Sequence, residues 1–187
     1  MTYAQLATDV QAWCARTDIA SQIPTMVGLF ESRINRSLRI RQMEEDFSGT
    51  IASNVIAQPT GFLEVKRVWA DSYPERNIQP QTIERVRGQI VGTPYLYAID
   101  GTDIRFNGTG AITGIYYKSI PGLYANSTNW LCTLSYDAYL FGVLAEVATY
   151  QRDQEALAMH FARSTAIIDS LRTADRRQGG PLMVRAA

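Results

Sequence analysis

The stretch Ser135–Tyr150, with the sequence SYDAYLFGVLAEVATY, decides the fold class of this chain. Its residues are apolar on nearly every side of a helical wheel. A helix of this kind has to be buried on all sides, so we predict that it forms the centre of a helical bundle. A last helix follows, for which Asp153 supplies a cap. The apolar stripe of that last helix consists of Leu157, Phe161, Ile168 and Leu171.

Two further helices are predicted at the start of the chain. Thr2 and Gln5 fit a capping box, and Pro24 suits the first turn of a second helix. The apolar stripes recur at helical spacing and consist of Tyr3, Leu6, Val10 and Trp13, then Val27, Phe30, Ile34 and Leu38. Since four such helices bury their stripes against one another, we expect a single bundle. Its expected core includes Trp13, Phe30, Leu144 and Phe161.

The middle of the chain has a different pattern, typical of strands and turns. Short apolar runs alternate with Gly, Pro, Asn and Asp. Asp100-Gly101 between two such runs indicates a hairpin, and we expect one helical turn over Gln81–Arg87. The expected strands are Phe47–Ala52, Leu63–Ala70, Tyr95–Ile99, Asp103–Phe106 and Ile112–Lys118.

This segregation of helices and strands predicts an α+β fold that is mainly helical. We expect a small helical bundle formed by the N- and C-terminal helices, with a central antiparallel β insertion. One domain would cover residues 1–175, with helices over about 2–42 and 134–175 and the insertion over about 46–120. Residues 176–187 would form a flexible C-terminal tail, because Gly179-Gly180-Pro181 cannot continue a helix.

The composition argues against a nucleic-acid binder that is held by net charge. The chain has 18 basic and 18 acidic residues, whereas such binders carry a basic excess. Charged residues make up 19% of the chain, below the ~25% that is typical of soluble domains. The low charge fits a surface that other chains cover, and it fits an uncharged polar surface equally well. We expect no signal peptide and no transmembrane helix.

Few residues suggest catalytic, metal-binding or cofactor chemistry. His160 is the only histidine, and a metal site or a catalytic triad would need further ligands or a positioned nucleophile. Gly108–Gly114 is rich in glycine but has no P-loop lysine, so it predicts a hairpin turn. Cys14 and Cys132 are expected to be free thiols. We therefore expect no cofactor.

Five short segments carry a resemblance to a known family. They are Phe62–Val68, Gly92–Pro94 with Tyr97–Gly101, Tyr116–Leu123, Asn129–Leu131 and Leu140–Glu146. In this order and spacing they resemble the tailed-bacteriophage adaptor proteins, also called head–tail connector or head-completion proteins. The resemblance covers about Tyr3 to Arg177.

The resemblance implies a structural protein without an enzyme site. Such a protein forms a homo-oligomeric ring, twelvefold by this resemblance, docked under the portal protein in the virion neck. The ring extends the channel for double-stranded DNA, which passes without sequence-specific binding, and offers a platform to the tail or nozzle protein. Assembly would take place in the host cytoplasm and away from membranes. A wall-degrading enzyme on a connector-like fold and a nucleic-acid-binding module stay open as alternatives.

Two sets of charged residues are candidates for the contact between subunits. At 100° per residue, Arg33, Arg36 and Arg39 fall opposite the stripe of the second helix. The acidic run Glu44, Glu45 and Asp46 follows them in the chain, and is also the one place where paired carboxylates could serve a hydrolase. We expect the arginines of one copy to meet the acidic run of the next, with a solvated face as the alternative.

The C-terminal tail is the candidate for docking on the portal. From Arg172 to Ala187 the chain has four arginines against one aspartate, and Leu182, Met183 and Val184 give it a short apolar end. A mobile basic peptide of this kind can become ordered on a partner, and the resemblance suggests the portal as that partner. The candidate residues are Arg172, Arg176, Arg177, Leu182, Met183, Val184 and Arg185.

Overall fold

The computed structural model describes residues 1–88 and 92–179. The chain divides into two compact units, a helical unit of Met1–Gln42 with Ile120–Ala187 and a β-rich unit of Met43–Ser119. In chain order the elements are α1 (Tyr3–Cys14), α2 (Ile23–Ser37), a 3₁₀ turn (Arg41–Met43), β1 (Glu44–Ile51), β2 (Val55–Ala57), β3 (Phe62–Ala70), β4 (Gln79–Pro80), α3 (Ile83–Gly88), β5 (Leu96–Asp100), β6 (Asp103–Phe106), β7 (Gly110–Lys118), α4 (Leu123–Asn126), α5 (Trp130–Leu134), α6 (Tyr136–Gln151) and α7 (Gln154–Gly179). The predicted α+β class, mainly helical, is confirmed.

The helical unit is built around α6, as its all-round apolar sequence predicts. Helices α1, α2 and α7 all pack against it, and nine of its sixteen residues are buried. Gly142 allows α2 to approach closely, because a Cβ at this position would lie only 2.2 Å from the Phe30 ring. The predicted bundle of N- and C-terminal helices is therefore confirmed.

Local capping signals set the ends of the helices. The Thr2 hydroxyl oxygen accepts a hydrogen bond from the Gln5 backbone N–H at 3.3 Å, as the capping pattern predicts. Pro24 lies in the first turn of α2, where its missing N–H leaves no bond unmade. The Asp153 carboxylate accepts from the Ala156 N–H at 3.0 Å and so caps the start of α7.

The core of the helical unit agrees only in part with the predicted one. Phe30 and Leu144 are buried, as predicted. The prediction is wrong for Trp13 and Phe161, which are 55% and 46% exposed. Both lie on apolar helical stripes, but the other helices of the unit leave about half of each side chain exposed.

A buried polar network joins α2 and α6 to the segment that precedes α6. The Glu31 carboxylate oxygen Oε1 accepts from the Leu123 N–H at 2.7 Å and from the Tyr139 hydroxyl at 2.8 Å. The Asn129 amide donates to the same hydroxyl oxygen at 2.6 Å and to the Pro121 carbonyl at 2.8 Å. Burial raises the pKa of Glu31 despite these donors, because desolvation disfavours the charged form.

The β-rich unit contains two sheets. The first has the order β1-β7-β3 and is antiparallel, with Glu44 opposite Tyr117 and Ile51 opposite Gly110. The second has the order β2-β6-β5-β4, in which only the short β4–β5 pair is parallel among the described strands. The apolar side chains of this unit form one main core cluster, which contains Ile51, Val65, Val68, Ile78, Tyr97, Ile104, Phe106 and Ile112.

Most of the predicted elements of the β-rich unit are present. The hairpin of β5 and β6 turns at Asp100-Gly101, where Gly101 has φ of 63°, and α3 occupies the predicted helical turn. The structure adds four short elements that the sequence analysis did not predict, namely β2, β4, α4 and α5. At the other end of the chain, α7 continues to Gly179, four residues beyond the predicted end.

Candidate functional site

The three arginines that the sequence analysis singled out do not form one outer face. Helix α2 ends at Ser37, so Arg39 lies beyond the helix, where it donates to the carbonyls of Asn35 and Leu38. Arg33 is half-buried against other helices of its own unit, and Arg36 is exposed. The expected face of three arginines is therefore absent, because α2 ends before Arg39.

The acidic run lies in a strand. Glu44, Glu45 and Asp46 open β1. Glu44 pairs with Lys66 at 2.6 Å and Glu45 pairs with Lys118 at 2.8 Å, both across the sheet. Asp46 is exposed. Successive side chains of a strand point to opposite faces, so neighbouring carboxylates of this run do not converge on one point.

The basic end of the chain belongs partly to α7. Arg172 donates to the Ser37 carbonyl and to Asp169, each at 2.7 Å, and is half-buried. Arg176 and Arg177 lie in the last turn and are exposed. The remaining docking candidates, Leu182, Met183, Val184 and Arg185, lie outside the described residues.

A partly exposed cluster around Phe161 lies between α2, α6 and α7, and we call it the Phe161 patch. It consists of Arg33, Glu146, Leu157 and Phe161. The Arg33 Nη1 atom lies 3.3 Å from Glu146 Oε1, and the guanidinium carbon lies 5.1 Å from the Phe161 ring centroid. The Arg33 Nη2 atom is buried and has no hydrogen-bond partner among the described residues.

Two cavities adjoin the Phe161 patch. One of about 400 Å³ is lined by Arg33, Glu146, Leu157 and Phe161, together with Thr149 and other residues. The other, of about 230 Å³, extends along α7 from Arg33 and Phe161 to Ile168 and Arg172. Both volumes are large enough to accept a bulky side chain.

A second exposed cluster lies where α1 and α7 meet α6, and we call it the Trp13 patch. It consists of Trp13, Phe141, His160 and Arg163. The Trp13 and Phe141 rings meet edge to face with centroids 5.6 Å apart, and Phe141 stacks on His160 at 6.1 Å. The Arg163 guanidinium lies 5.2 Å from the Phe141 centroid. Trp13 and Arg163 are exposed, Phe141 is half-buried and His160 is buried, so the outer part of this cluster faces solvent.

The two patches lie on different sides of α6. Between Ala138 and Ala148, only Phe141 and Glu146 are not fully buried. Five residues separate them, which is about 140° around a helix. Phe141 belongs to the Trp13 patch and Glu146 to the Phe161 patch, so α7 has one exposed cluster on each flank. The sequence analysis missed both clusters, because their members carry the same helical periodicity as the core.

The structure gives His160 a packing role. It is buried, and its Nδ1 atom has no hydrogen-bond partner among the described residues. Burial lowers the pKa of His160, and the nearby Arg163 cation lowers it further. No group of three or more metal-ligating side chains occurs among residues 1–88 and 92–179. The buried Cys132 thiol has a pKa that desolvation raises, the opposite of what a reactive thiolate requires.

A cavity of about 510 Å³ lies in the β-rich unit, between β3 and the strands β4 and β5. Phe62–Val68 form one wall and Asn77–Gln81 the other, and Glu64 is the one carboxylate in the lining. Two facing carboxylates, which a glycoside hydrolase would use, are therefore not found in the described walls of this cavity.

The chain matches a protein-family model. A model of the SU10 adaptor protein family covers residues 1–185 of the chain, and no curated protein sequence matches it. The match confirms the resemblance to phage adaptors that the ordered segments carry. The chain belongs to the SU10 adaptor protein family, a family of structural phage adaptors.

Proposed function

We propose that this protein forms a homo-oligomeric, twelvefold ring that docks under the portal protein and carries the tail or nozzle protein. The observation that supports this is the family match over residues 1–185. In this role the ring belongs to the virion neck and assembles in the host cytoplasm. Double-stranded DNA passes through its lumen without sequence-specific contacts. The role requires contacts between proteins and no cofactor.

Charge pairing between neighbouring copies would set the register of the ring. Arg33 and Glu44 already have partners within the subunit, whereas Arg36 and Asp46 are exposed. We therefore narrow the predicted contact to Arg36 of one copy and Asp46 of the next. An exposed ion pair contributes only ~0–1 kcal/mol, so its effect is on orientation more than on affinity.

The end of α7 and the residues beyond it would bind the portal. Arg176 and Arg177 are exposed in the last helical turn, and the segment 180–187 adds the apolar residues Leu182, Met183 and Val184. Removing residues 180–187, or reversing Arg176 and Arg177 to glutamate, should abolish docking and leave the melting temperature of the adaptor unchanged. Arg85→Glu, at an exposed arginine on α3, is the matched control for charge reversal.

The direct test is a titration of the portal protein of the same phage with this adaptor, followed by native mass measurement. We expect a complex that saturates at twelve adaptor copies for each portal ring. The adaptor alone serves as a control, and a monomeric adaptor is compatible with a ring that forms only on the portal. A portal that binds no adaptor, or that saturates at one copy, would contradict the proposed function.

A further inference from the structure

The cavity of about 510 Å³ in the β-rich unit lies between the edges of its two sheets. β3 is an outer strand of the first sheet, and β4 is an outer strand of the second. Phe62–Val68 line one side of the cavity, and Asn77–Gln81 with Tyr97–Ile99 line the other. Since both sheets contribute to one apolar core cluster, the cavity is an opening between two sheets that enclose the same core. We call this opening the strand gap.

The two sheet edges pair at one end of the strand gap. Trp69 of β3 forms a bridge with Asn77, and the Ile78 N–H donates to the Val68 carbonyl at 2.8 Å. Beyond these residues β3 pairs with β7 and β4 pairs with β5. The sheets that the structure describes contain no ladder between β3 and β4.

Pro80 explains why the pairing stops. In the register of the bridge, Pro80 would face Lys66, but proline has no N–H for a ladder. The N–H groups of Gln79 and Gln81 donate to carbonyls on the β5 side, at 2.9 and 2.8 Å. β4 therefore has no N–H that could bond to β3.

The end of β5 presents a second open edge to the strand gap. β4 pairs with β5 only as far as Tyr97. β5 and β6 form a hairpin in which Asp100 lies opposite Asp103, and the bonds between two such strands alternate along the chain. The N–H and C=O of Ile99 therefore point away from β6 and towards the side on which β4 has ended. Ile99 lines the cavity and is 48% exposed.

The rim of the strand gap carries a positive charge at Arg67. Its guanidinium donates to the Asn77 side-chain oxygen at 2.6 Å and to the Pro74 carbonyl at 3.3 Å. The guanidinium carbon also lies 4.8 Å from the Trp69 ring centroid. These partners are neutral, so they do not neutralise the charge of Arg67, which is exposed. Lys66 on the same strand, in contrast, is paired with Glu44.

These groups define the kind of ligand that the strand gap can bind. An open strand edge binds an extended peptide through backbone hydrogen bonds, and this opening has such an edge on each side. The buried Ile78 and Tyr97 in its lining favour an apolar side chain. Arg67 favours a carboxylate, which forms the stronger, charge-assisted hydrogen bonds with a guanidinium.

We propose that an extended, acidic segment of the tail or nozzle protein inserts into the strand gap and pairs with β3 and β5. This inference rests on the proposed function and names the surface that carries the tail. The end of α7 is the portal contact in that proposal, which leaves the β-rich unit for the second partner. The carboxylate of the segment binds Arg67.

Hydrogen–deuterium exchange on the portal–adaptor ring is the test, with the tail or nozzle protein of the same phage as the probe. A strand that pairs in the gap protects backbone amides, whereas a contact through side chains leaves them open. We expect the fast-exchanging amides of Phe62–Val68 and the Ile99 amide to exchange at least about tenfold more slowly in the complex. β1 is the control, because it is the other outer strand of the first sheet and its exchange should not change.

Charge reversal gives a second readout. Arg67→Glu should weaken binding of the tail or nozzle protein at least about tenfold and leave portal binding unchanged, whereas Arg67→Lys, which keeps the charge, should retain most of the binding. Arg76→Glu is the matched control, since Arg76 is an exposed arginine of the same unit outside the lining of the gap. Melting curves verify that each variant folds, and the exchange measurement on the natural protein decides if Arg67→Glu does not. Equal binding by folded Arg67→Glu and Arg76→Glu would overturn the inference.

The outcomes separate this inference from the proposed function. Slower exchange at both edges of the gap supports the inference. Binding of the tail or nozzle protein without slower exchange there would overturn it and leave the proposed function intact. Slower exchange that is complete once the ring has formed on the portal would also overturn it, since a second copy or the portal would then fill the gap. If no ring forms on the portal, or the ring binds no tail or nozzle protein, both the proposed function and this inference fail.

Discussion

Phe30 and Phe161 lie near the same guanidinium, that of Arg33, and have opposite environments. Phe30 is fully buried against α6 and Phe161 is 46% exposed on α7. The Arg33 guanidinium carbon lies 5.5 Å from the Phe30 centroid and 5.1 Å from the Phe161 centroid. The two rings mark the boundary between the interior of the helical unit and its flank.

This difference shows what an apolar helical stripe indicates about the burial of its side chains. Both phenylalanines recur at helical spacing, so both satisfy the condition for a side chain that packs against another element. For Phe30 that element is a helix of the same unit. For Phe161 the coverage is incomplete, since 46% of it is exposed. Interior residues should therefore contribute more to the stability of the subunit than residues on its flank.

The largest effect should come from Phe30→Ala. The substitution leaves a cavity between α2 and α6, and core truncations of this kind cost about 3–5 kcal/mol in the free energy of unfolding. Denaturant unfolding of the purified protein measures this. Leu29→Ala is the control on the same helix, because Leu29 is 53% exposed. Equal costs for the two variants would contradict the division into interior and flank.

Tyr139→Phe should have the next largest effect. It removes the hydroxyl that donates to Glu31 and accepts from Asn129, and a lost buried bond to a charged group costs about 1.5–3 kcal/mol. Tyr150→Phe on the same helix is the control, since Tyr150 is 60% exposed. A cost for Tyr139→Phe within experimental error would show that the network does not stabilise the interior.

Phe161→Ala should cost only about 1 kcal/mol in subunit stability, roughly half of what full burial of such a side chain contributes. Denaturant unfolding of the purified variant measures this cost. A stability cost as large as that of Phe30→Ala would place Phe161 in the interior, as its helical stripe predicts.

The smallest effect should be the pH dependence that Glu31 introduces. Burial raises the pKa of Glu31 in the folded state, so the folded state holds the proton more tightly than the unfolded state. The stability of the protein should therefore fall as the pH rises from about 4.3, the ordinary glutamate value, through the raised folded pKa.

Glu31→Gln tests this sign. The Gln amide oxygen can still accept from the Leu123 N–H and the Tyr139 hydroxyl, but it does not titrate. The stability of the variant relative to the natural protein should rise across that pH interval and then level off. A relative stability that is constant with pH would show that Glu31 has an unshifted pKa.

The fold could be predicted where the elements are long and their patterns repeat. Helix α6 has 16 residues and α7 has 26, enough for a helical period to be recognised. Helices α4 and α5 have four and five residues, too few for any period. Strand β4 consists of Gln79 and Pro80, and a proline at that place argues against a strand.

The candidate site could be predicted less well. Arg33 was recognised from its position on α2, but its partner Glu146 comes from a distant helix and carries no local signal. Arg39 was assigned to the wrong face because the end of α2 at Ser37 has no glycine or proline to mark it. The exposure of Trp13 is not encoded in its own stripe, since periodicity does not distinguish a helix of the same chain from one of another copy.

Helix α7 has a mechanical consequence. With 26 residues it is about 39 Å long, whereas the 16 residues of α6 span about 24 Å. The C-terminal end of α7 has contacts of its own. Arg172 donates to the Ser37 carbonyl. The Asp175 carboxylate accepts from the backbone N–H and from the guanidinium of Arg41. A beam supported near both ends resists bending more than one that is clamped at a single end. A pull on Arg176 or Arg177 would therefore be transmitted as a load to the end of α2, and the helix would move as a rigid strut.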